Sequence, residues 1–355
     1  MHKQLLTLAD DAYALRPEGT ASVVRSYIEN SFDKQEPLSK LFYLGAMFRG
    51  ERPQKGRLRQ FHQIGVEAIG PNSTSPYLDA EIIALAMHLL REFGVRGPRL
   101  KINSLGSQAD KEHVSVWLRA ELGKHKNNLC ADCQSRFERN VFRVLDCKNG
   151  SCKKAIASVV KSLPLSDESR KYFNDVQSAL KSLDIAFDVS PHLVRGLDYY
   201  THTVFEITAE GLGSQDAVGA GGRYSGLVHE LGGDEKTGFG AIGFALGIER
   251  ILLAAGDAKA PVQPLDVFVV ATQPQDAFGL VHQLRQANIS ADMSFSAGSF
   301  KSQMNRANKL NARFALILGE EEIKNKSVAV KDMQKSVQET VALENIIEYL
   351  TREVL

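Results

Sequence analysis

The stretch FRGERPQKGRLRQFHQIGVE, from Phe48 to Glu67, changes character halfway along its length. Its first part carries five cations around a turn that contains Pro and Gly: Arg49, Arg52, Lys55, Arg57 and Arg59. Its second part alternates apolar and polar residues, as a strand with one buried face does. Residues 41–70 are therefore predicted to form two strands joined by a polar turn.

The second strand of this hairpin presents two different faces, because strand side chains alternate. One face is aliphatic and is expected to pack on helices; the other carries Phe61, Gln63, Gly65 and Glu67. Guanidinium groups at the turn suit phosphate oxygens, which they bind bidentately. A solvated basic turn is the common alternative. It does not explain why an amide and a carboxylate face the same way as Phe61, so we predict a pocket for a cationic amino group beside a phosphate site.

The composition of the chain excludes several classes of protein. It has 355 residues, 43% of them hydrophobic and 24% charged, with a formal net charge of +1. This length predicts two or three domains. The small net charge excludes a generally basic nucleic-acid coat, so any polyanion site must be local. No apolar run has membrane-spanning length and residues 1–21 contain no signal-peptide core, which predicts a cytoplasmic protein without a membrane partner.

The order of the predicted elements indicates three regions. A helix is predicted over Asp79–Gly94 and a strand over 99–107, followed by a mostly helical, charged stretch over 108–184. Strand and glycine signals return between Phe187 and Phe244. Residues 256–264 have the composition of a linker, and the short strands and helices after it show the alternation of a separate α/β domain, with a last helix from about Leu343.

Four cysteines, Cys130, Cys133, Cys147 and Cys152, lie in the helical stretch with the spacing C-x2-C-x13-C-x4-C. This spacing is close to that of a structural zinc site. The alternative is a set of reduced thiols in a helical insertion, and it is the preferred interpretation because spacing alone does not show that the sulfurs converge. No metal site is therefore assigned.

Two further stretches carry candidate site residues. LRPEGTA places Glu18 and Thr20 on either side of Gly19, where a carboxylate and a hydroxyl could hold an ammonium group, although Pro-Glu-Gly also makes a plain turn. LVRGLDYYTHTVFEI contains Arg195 beside Tyr199 and Tyr200; paired tyrosines are more often core, but an Arg in an apolar, aromatic run needs an anionic partner.

Two glycine-rich stretches follow. In GAGGRYSG the glycines would let the backbone approach a ligand, with Arg223 and Tyr224 beside it; Rossmann and P-loop patterns are absent. In GFGAIGFALGIERILLA a strand is predicted to run into a helix, with Arg250 in the first turn of that helix, where an anion is also favoured. The sequence shows no Ser-His-Asp, Cys-His or H-E-x-x-H pattern. The residue types that recur on the predicted strands are Arg, Gly, Gln and Glu. They suit electrostatic stabilisation of a phosphoryl-type transition state.

Together these stretches resemble the histidyl-tRNA synthetase family of the bacterial type. FRGERPQKGRLRQFHQ is similar to the class II synthetase motif 2 and GFALGIERILL to motif 3. LVRGLDYYTHTVFE and AGGRYSG resemble the two histidine-specific motifs, and LRPEGTA resembles an early signature of the family. The resemblance covers essentially the whole chain.

The resemblance implies an α+β fold. Residues 1–107 and 185–255 would form a class II catalytic core, an antiparallel sheet with flanking helices. Residues 108–184 would be a helical insertion, 256–264 a linker and 265–355 an α/β anticodon-binding domain. It also implies activation of histidine by ATP, accompanied by Mg²⁺, and transfer to the 3′ end of tRNA(His).

The resemblance further implies roles for single residues. Arg195, Arg49 and Arg250 would be catalytic, with Arg49 on the α-phosphate, Arg250 along the ATP and Arg195 stabilising charge. The ATP site would also include Glu51, Arg57 and Phe61. The ammonium group of histidine and its surroundings would be bound by Glu18, Gly19, Thr20, Gln63 and Glu67, and the imidazole by Tyr199, Tyr200 and Tyr224, with Arg195 also at the histidine site.

The family normally carries an upstream motif 1 segment that builds a homodimer interface, and this sequence begins almost at LRPEGTA. Weaker dimer formation and an inactive fragment are therefore expected alternatives to a full homodimeric enzyme. A third alternative is the regulatory subunit of ATP phosphoribosyltransferase, a non-catalytic paralogue that binds histidine. Such paralogues lose catalytic motif residues and the anticodon domain, whereas Arg49, Arg195, Arg250 and residues 265–355 are present here.

Overall fold

A computed structural model describes residues 5–8, 13–212, 216–234, 237–256, 265–335 and 337–354. The chain divides into two compact units, Met1–Ala258 and Lys259–Leu355. The predicted linker over 256–264 lies outside the described residues, apart from Gly256. None of the helices in the described ranges combines the length and apolar character that crossing a membrane requires.

One sheet organises the first unit. Its described strands are β1 (Ser39–Phe48), β2 (Gln60–Pro71), β3 (Arg99–Ser104), β4 (Phe187–Val189), β5 (Thr201–Thr208), β6 (Ala217–Arg223) and β7 (Phe239–Gly247). They lie in the order β1-β2-β7-β6-β5-β3-β4, and every neighbouring pair is antiparallel except β3 with β4. The expected antiparallel sheet is confirmed, and the polar stretch is the hairpin between β1 and β2, with Gly45 opposite Gln63.

Helices α2 (Pro76–Glu92) and α6 (Asp167–Ser182) cover one face of this sheet. α2 begins at Pro76 rather than at Asp79, because the Ser75 side chain accepts a hydrogen bond from the Tyr77 amide and caps the helix there. Ile64, Val66 and Ala68 of β2 pack into the same core. The aliphatic face of β2 is thus the helix-covered face, whereas Phe42 and Leu44 of β1 are exposed.

The opposite face is covered only in part. Helices α1 (Thr20–Glu29) and α7 (Ser225–Glu230) pack on it through a small core that includes Val24, Tyr27 and Leu227. Helix α8 (Ile248–Ala255) continues directly from β7. The beginning of β2, which carries Phe61 and Gln63, borders a cavity on this side.

Between β3 and α6 the chain forms helices α3 (Gln108–Gly123), α4 (Ala131–Arg139) and α5 (Gly150–Val159). The Ser107 hydroxyl and the Asp110 carboxylate form a capping box that fixes the start of α3. These helices build their own core, which also contains Leu193 and Val194 from the segment before β5. The helical stretch therefore packs against the residues next to Arg195.

The second unit contains a mixed sheet. Its described strands, β8 (Val267–Ala271), β9 (Ala291–Met293), β10 (Phe314–Leu318), β11 (Ser327–Asp332) and β12 (Gln338–Ala342), lie in the order β12-β11-β10-β8-β9. The accompanying helices are α9 (Pro274–Gln286), α10 (Phe300–Lys309), α11 (Glu320–Lys324) and α12 (Ile346–Val354). The predicted α/β strands pair in parallel, whereas β11 and β12 add an antiparallel hairpin that was not predicted. Residues 327–342 contain neither Gly nor Pro to mark its turn.

Candidate active site

The cationic turn divides into residues that face the cavity and residues that face solvent. The cavity, of about 360 Å³, is lined by Arg49 and Arg57 but not by Arg52, Lys55 or Arg59, which are exposed. Arg49 Nε donates to the Pro17 carbonyl oxygen at 2.9 Å. Its guanidinium lies 5.0 Å from the centre of the Phe61 ring. Arg57 forms an ion pair with Glu51 at 2.7 Å.

A second group of residues surrounds the start of α1. The Glu18 carboxylate accepts hydrogen bonds from the Thr20 amide at 2.7 Å and the Ala21 amide at 3.1 Å, so it caps the helix. Gly19 is needed for packing, because a Cβ atom there would lie 2.4 Å from the Tyr43 ring. Glu18, Thr20 and Tyr43 line the cavity.

Glu67 lies just beneath this group, with only 1% of its surface exposed. Its carboxylate accepts hydrogen bonds from Thr20 Oγ1 and from the Tyr224 hydroxyl, each at 2.6 Å. Gly243 provides the space, since a Cβ atom there would lie 1.7 Å from Glu67 Oε2. Burial raises the pKa of Glu67 to about 8, against the lowering effect of the two hydroxyl donors.

Three tyrosines form one wall of the site. The rings of Tyr199 and Tyr200 lie 4.7 Å apart, and those of Tyr199 and Tyr224 lie 5.9 Å apart in an edge-to-face arrangement. Tyr199 and Tyr200 line the cavity, whereas Tyr224 is buried behind them and reaches it through Glu67. Burial raises the pKa of Tyr200 to about 12, so its hydroxyl remains protonated at neutral pH.

Arg195 and Arg250 approach the cavity from two other elements. Arg195 Nη1 donates to Glu206 Oε2 of β5 at 3.1 Å, which supplies the anionic partner that its apolar setting required. Arg250 lies in the first turn of α8, as predicted. Its Nε donates to the Gly56 carbonyl oxygen at 2.6 Å and its Nη1 to the Ala217 carbonyl oxygen at 2.7 Å. Burial, together with nearby Arg57, lowers the pKa of Arg250.

The cavity walls contain polar atoms that the protein itself does not satisfy. Among the described residues, four side-chain atoms of the lining are buried and have no hydrogen-bond partner: Tyr43 Oη, Gln63 Oε1, Tyr199 Oη and Arg195 Nε. Buried polar groups in folded proteins are nearly always paired. A set of unpaired donors and acceptors around one cavity therefore indicates a polar ligand with groups of both kinds.

Comparison with known proteins identifies the family. The model of the family described as "Histidyl-tRNA synthetase" matches residues 3–251. The chain belongs to the histidyl-tRNA synthetase family. A second model, "Anticodon binding domain", matches residues 266–353. The class II synthetase architecture expected from the motifs is thereby confirmed.

Individual relatives agree with this assignment. The chain is 43% identical to a histidine–tRNA ligase of Syntrophotalea carbinolica, over 99% of this chain and 84% of that protein. It is 45% identical to a histidine–tRNA ligase of a Geobacillus species, over 99% of this chain and 85% of that protein. The apo structure of S. aureus histidyl-tRNA synthetase superposes with a TM-score of 0.75 at 36% identity, covering 98% of this chain and 86% of that one.

Within this synthetase fold, the predicted site residues gather around one cavity, some as lining and some behind it. The lining includes Glu18, Thr20, Arg49, Glu51, Arg57, Phe61, Gln63, Arg195, Tyr199, Tyr200 and Arg250. Gly19, Glu67 and Tyr224 support the lining from behind. Sequence reasoning missed Tyr43, Glu206 and Gly243. Tyr43 could have been found, because it shares its strand phase with Arg49, whereas Glu206 and Gly243 are defined only by the packing of neighbouring strands.

One expectation from the glycine-rich stretch is wrong. Arg223 does not lie beside a ligand cavity; it is fully buried and forms an ion pair with Asp79 of α2 at 2.7 Å. Its Nε also donates to the Tyr172 hydroxyl at 2.9 Å. Side chains alternate along β6, so Arg223 points to the helix-covered side while Tyr224, the next residue, reaches Glu67.

Proposed function

We propose that this chain activates histidine with ATP and transfers it to the 3′ end of tRNA(His). The observation that carries the proposal is one cavity lined by two chemically different groups of residues. One group, called the carboxylate end below, includes Thr20, which donates to the buried carboxylate of Glu67; the other, called the cationic end, consists of the guanidinium groups of Arg49, Arg195 and Arg250. An amino acid presents an ammonium group, and ATP presents phosphates. The cavity therefore matches the two substrates of the first reaction step.

The carboxylate end suits the amino acid. Among the described residues, no Lys, Arg or His side chain forms an ion pair with Glu67, and buried charges need a partner. The ligand's ammonium group would supply it, with Glu18, Thr20 and Gln63 around it. The imidazole would lie against Tyr199 and Tyr200, with Tyr224 behind. Such a site rejects analogues that leave its polar groups unpaired.

The cationic end suits ATP. In this proposal the adenine stacks on Phe61, Arg49 binds the α-phosphate and Arg250 lies along the nucleotide, with Glu51 and Arg57 closing the turn over it. A carboxylate oxygen of histidine attacks the α-phosphorus and pyrophosphate leaves. Arg195 stabilises the charge that develops on the α-phosphate oxygens. The 3′ hydroxyl of tRNA then attacks the activated carbonyl carbon, and AMP leaves.

Mg²⁺ is included in the proposal as a companion of ATP. The ion prefers hard oxygen ligands and is usually held by substrate phosphates with one or two carboxylates. Glu51 and Glu249 line the cavity near the three arginines and are suitable donors. When bound, the ion would neutralise phosphate charge, and the residues named above would orient the nucleotide beneath it.

The proposal also assigns a role to each region of the chain. We propose that residues 1–107 and 185–255 form the catalytic core, 108–184 a helical insertion, 256–264 a linker and 265–355 the anticodon-binding domain. The proposal includes a cytoplasmic homodimer, as the family resemblance implies. The alternative of a non-catalytic regulatory paralogue is not favoured, because Arg49, Arg195 and Arg250 at the cavity and the matched anticodon-binding region are all present.

The decisive experiment is histidine-dependent exchange of pyrophosphate into ATP, measured without and with tRNA(His). We expect exchange that requires histidine and does not require tRNA, followed by charging of tRNA. Histidine binding without exchange would instead support the regulatory paralogue, and neither binding nor exchange would support an inactive fragment.

The tRNA assignment has its own test, which leaves the cavity untouched. Lys301, Arg306 and Lys309 lie on α10 of the second unit. If they contact phosphates, replacing all three by Ala lowers the log–log salt dependence of tRNA binding by about one unit per cation. We expect slower charging and unchanged pyrophosphate exchange, and an equal loss of both activities would contradict the assignment.

A further inference from the structure

The four cysteines of the helical insertion converge on one point. Their sulfur atoms all lie within 4.8 Å of one another. Cys133, Cys147 and Cys152 are buried and Cys130 is partly exposed. Spacing alone could not show this convergence. It brings together residues from two helices and the segment between them, far along the chain from the cavity residues described above.

The distances match a four-coordinate metal. Zn–S bonds of about 2.3 Å in a tetrahedron separate the sulfur atoms by about 3.8 Å. The sulfur atoms of Cys130 and Cys147 are 3.9 Å apart. A disulfide bond would require about 2.05 Å. The arrangement therefore has the size of a metal-thiolate site, and all four cysteines are free thiols.

The local backbone is suited to hold negative charge on the sulfurs. Cys130 is the N-cap residue of α4 and Cys133 lies in its first turn, while Cys152 lies in the first turn of α5. The N-terminal ends of helices favour anionic groups. The backbone amide of Cys130 also donates to the Cys152 sulfur at 3.2 Å. Such outer contacts orient and stabilise metal ligands.

We propose that Cys130, Cys133, Cys147 and Cys152 bind one structural zinc ion. Four thiolate ligands close the tetrahedron, so the ion has no open position for a substrate. Binding displaces the four thiol protons and leaves a tetrathiolate–zinc centre of charge −2. Four thiolates select zinc or iron among the common metals, and carboxylate-preferring ions such as Mg²⁺ are disfavoured.

The fold explains what the ion would stabilise. Helices α4 and α5 have only 9 and 10 residues, and helices this short are marginal without tertiary support. Their core includes Cys133 and Cys152 and also Leu193 and Val194, next to Arg195. The zinc ion would thus fix the insertion against the segment that carries Arg195. This inference does not depend on the proposed reaction.

The test is metal analysis of the full chain purified under reducing conditions without chelators. We expect about one zinc per chain, released when a mercurial reagent modifies the thiols. Replacement by Co²⁺ should give the visible absorption bands of a tetrahedral thiolate site. Cys130→Ser and Cys147→Ser should each retain far less zinc after dialysis than the wild-type chain.

The matched control is Asn149→Ala. The Asn149 side chain caps α5 by accepting from the Ser151 amide at 3.0 Å, so its removal weakens the same helix but removes no sulfur. It should keep about one zinc. Because a Cys variant could fail to fold, the wild-type measurement decides. A folded chain with substoichiometric zinc and four freely reactive thiols, or with stoichiometric iron, would overturn the proposal.

Discussion

Two carboxylates, Asp79 and Glu67, are buried on opposite sides of the same sheet, and their partners differ. Asp79 has 0% exposure and is matched by Arg223 at 2.7 Å and by the Thr203 hydroxyl at 2.6 Å. Glu67 has 1% exposure, and its partners among the described residues are two neutral hydroxyls. The first site is electrically complete within the chain. The second has no cation among the described residues, and that difference is the basis for proposing that Asp79 is structural and that Glu67 binds a ligand.

The largest expected effect tests the complete site. Asp79→Asn leaves the buried guanidinium of Arg223 without its anion, which typically destabilises a fold by about 3–5 kcal/mol. Urea unfolding of the purified variant measures the change. The control is Glu81→Gln on the same helix, where the ion pair with Lys40 is exposed and is worth about 0–1 kcal/mol. Equal effects of the two substitutions would contradict the assignment of a buried structural pair.

The second prediction concerns the cationic end of the cavity. Arg195→Ala should reduce the rate of adenylate formation by about a hundredfold or more while ATP affinity changes little, because one transition-state donor is lost. Pyrophosphate exchange and ATP titration measure the two quantities. Arg91→Ala, at an exposed position of α2, should behave as the wild type. Near wild-type exchange by the Arg195 variant would show that Arg195 is not catalytic.

The sequence predicts the positions of the site residues better than it predicts their partners. The hairpin, the phase of Gln63 and Glu67 and the position of Arg250 all follow from local patterns, because period-2 alternation and a strand-to-helix junction are set by adjacent residues. Arg223 and Tyr224 are also adjacent, yet Arg223 forms an ion pair with Asp79 and the Tyr224 hydroxyl donates to Glu67. Similarly, Arg195 is conspicuous in the sequence, but its partner Glu206 is not. Such pairings depend on which helices and strands pack against each other, and no local pattern encodes that.

The third prediction tests the incomplete site. Glu67→Gln keeps the shape of the side chain and removes a carboxyl group whose ionisation is disfavoured by burial, so the free energy of unfolding should stay the same or rise. Histidine affinity should fall by about tenfold to a hundredfold, as expected when a hydrogen bond to a charged group is lost. Asp79→Asn should instead lower the free energy of unfolding and leave the histidine affinity of the folded chain nearly unchanged. A Glu67 variant that unfolds more easily and still binds histidine normally would show that Glu67 is a structural carboxylate like Asp79.

The smallest expected effect is a pH dependence of histidine binding. The pKa of Glu67 is about 8 in the folded chain, above its value of about 4.5 in the unfolded chain, so the folded state holds an extra proton between these pH values. The free energy of unfolding contributed by this group therefore falls as pH rises through that window.

An ammonium ligand favours the ionised carboxylate, so histidine binding should release part of a proton near pH 7. Histidine affinity should then increase as pH rises from 6 towards 8, by at most about tenfold per pH unit, and level off above the folded pKa. Calorimetry in buffers of different ionisation enthalpy measures the released proton directly. Histidine titrates as well, but it contributes equally to the wild-type chain and to Glu67→Gln, so the difference between the two isolates Glu67. An identical proton release in both chains would mean that another group meets the ammonium, and that Glu67, like Asp79, is satisfied by the fold alone.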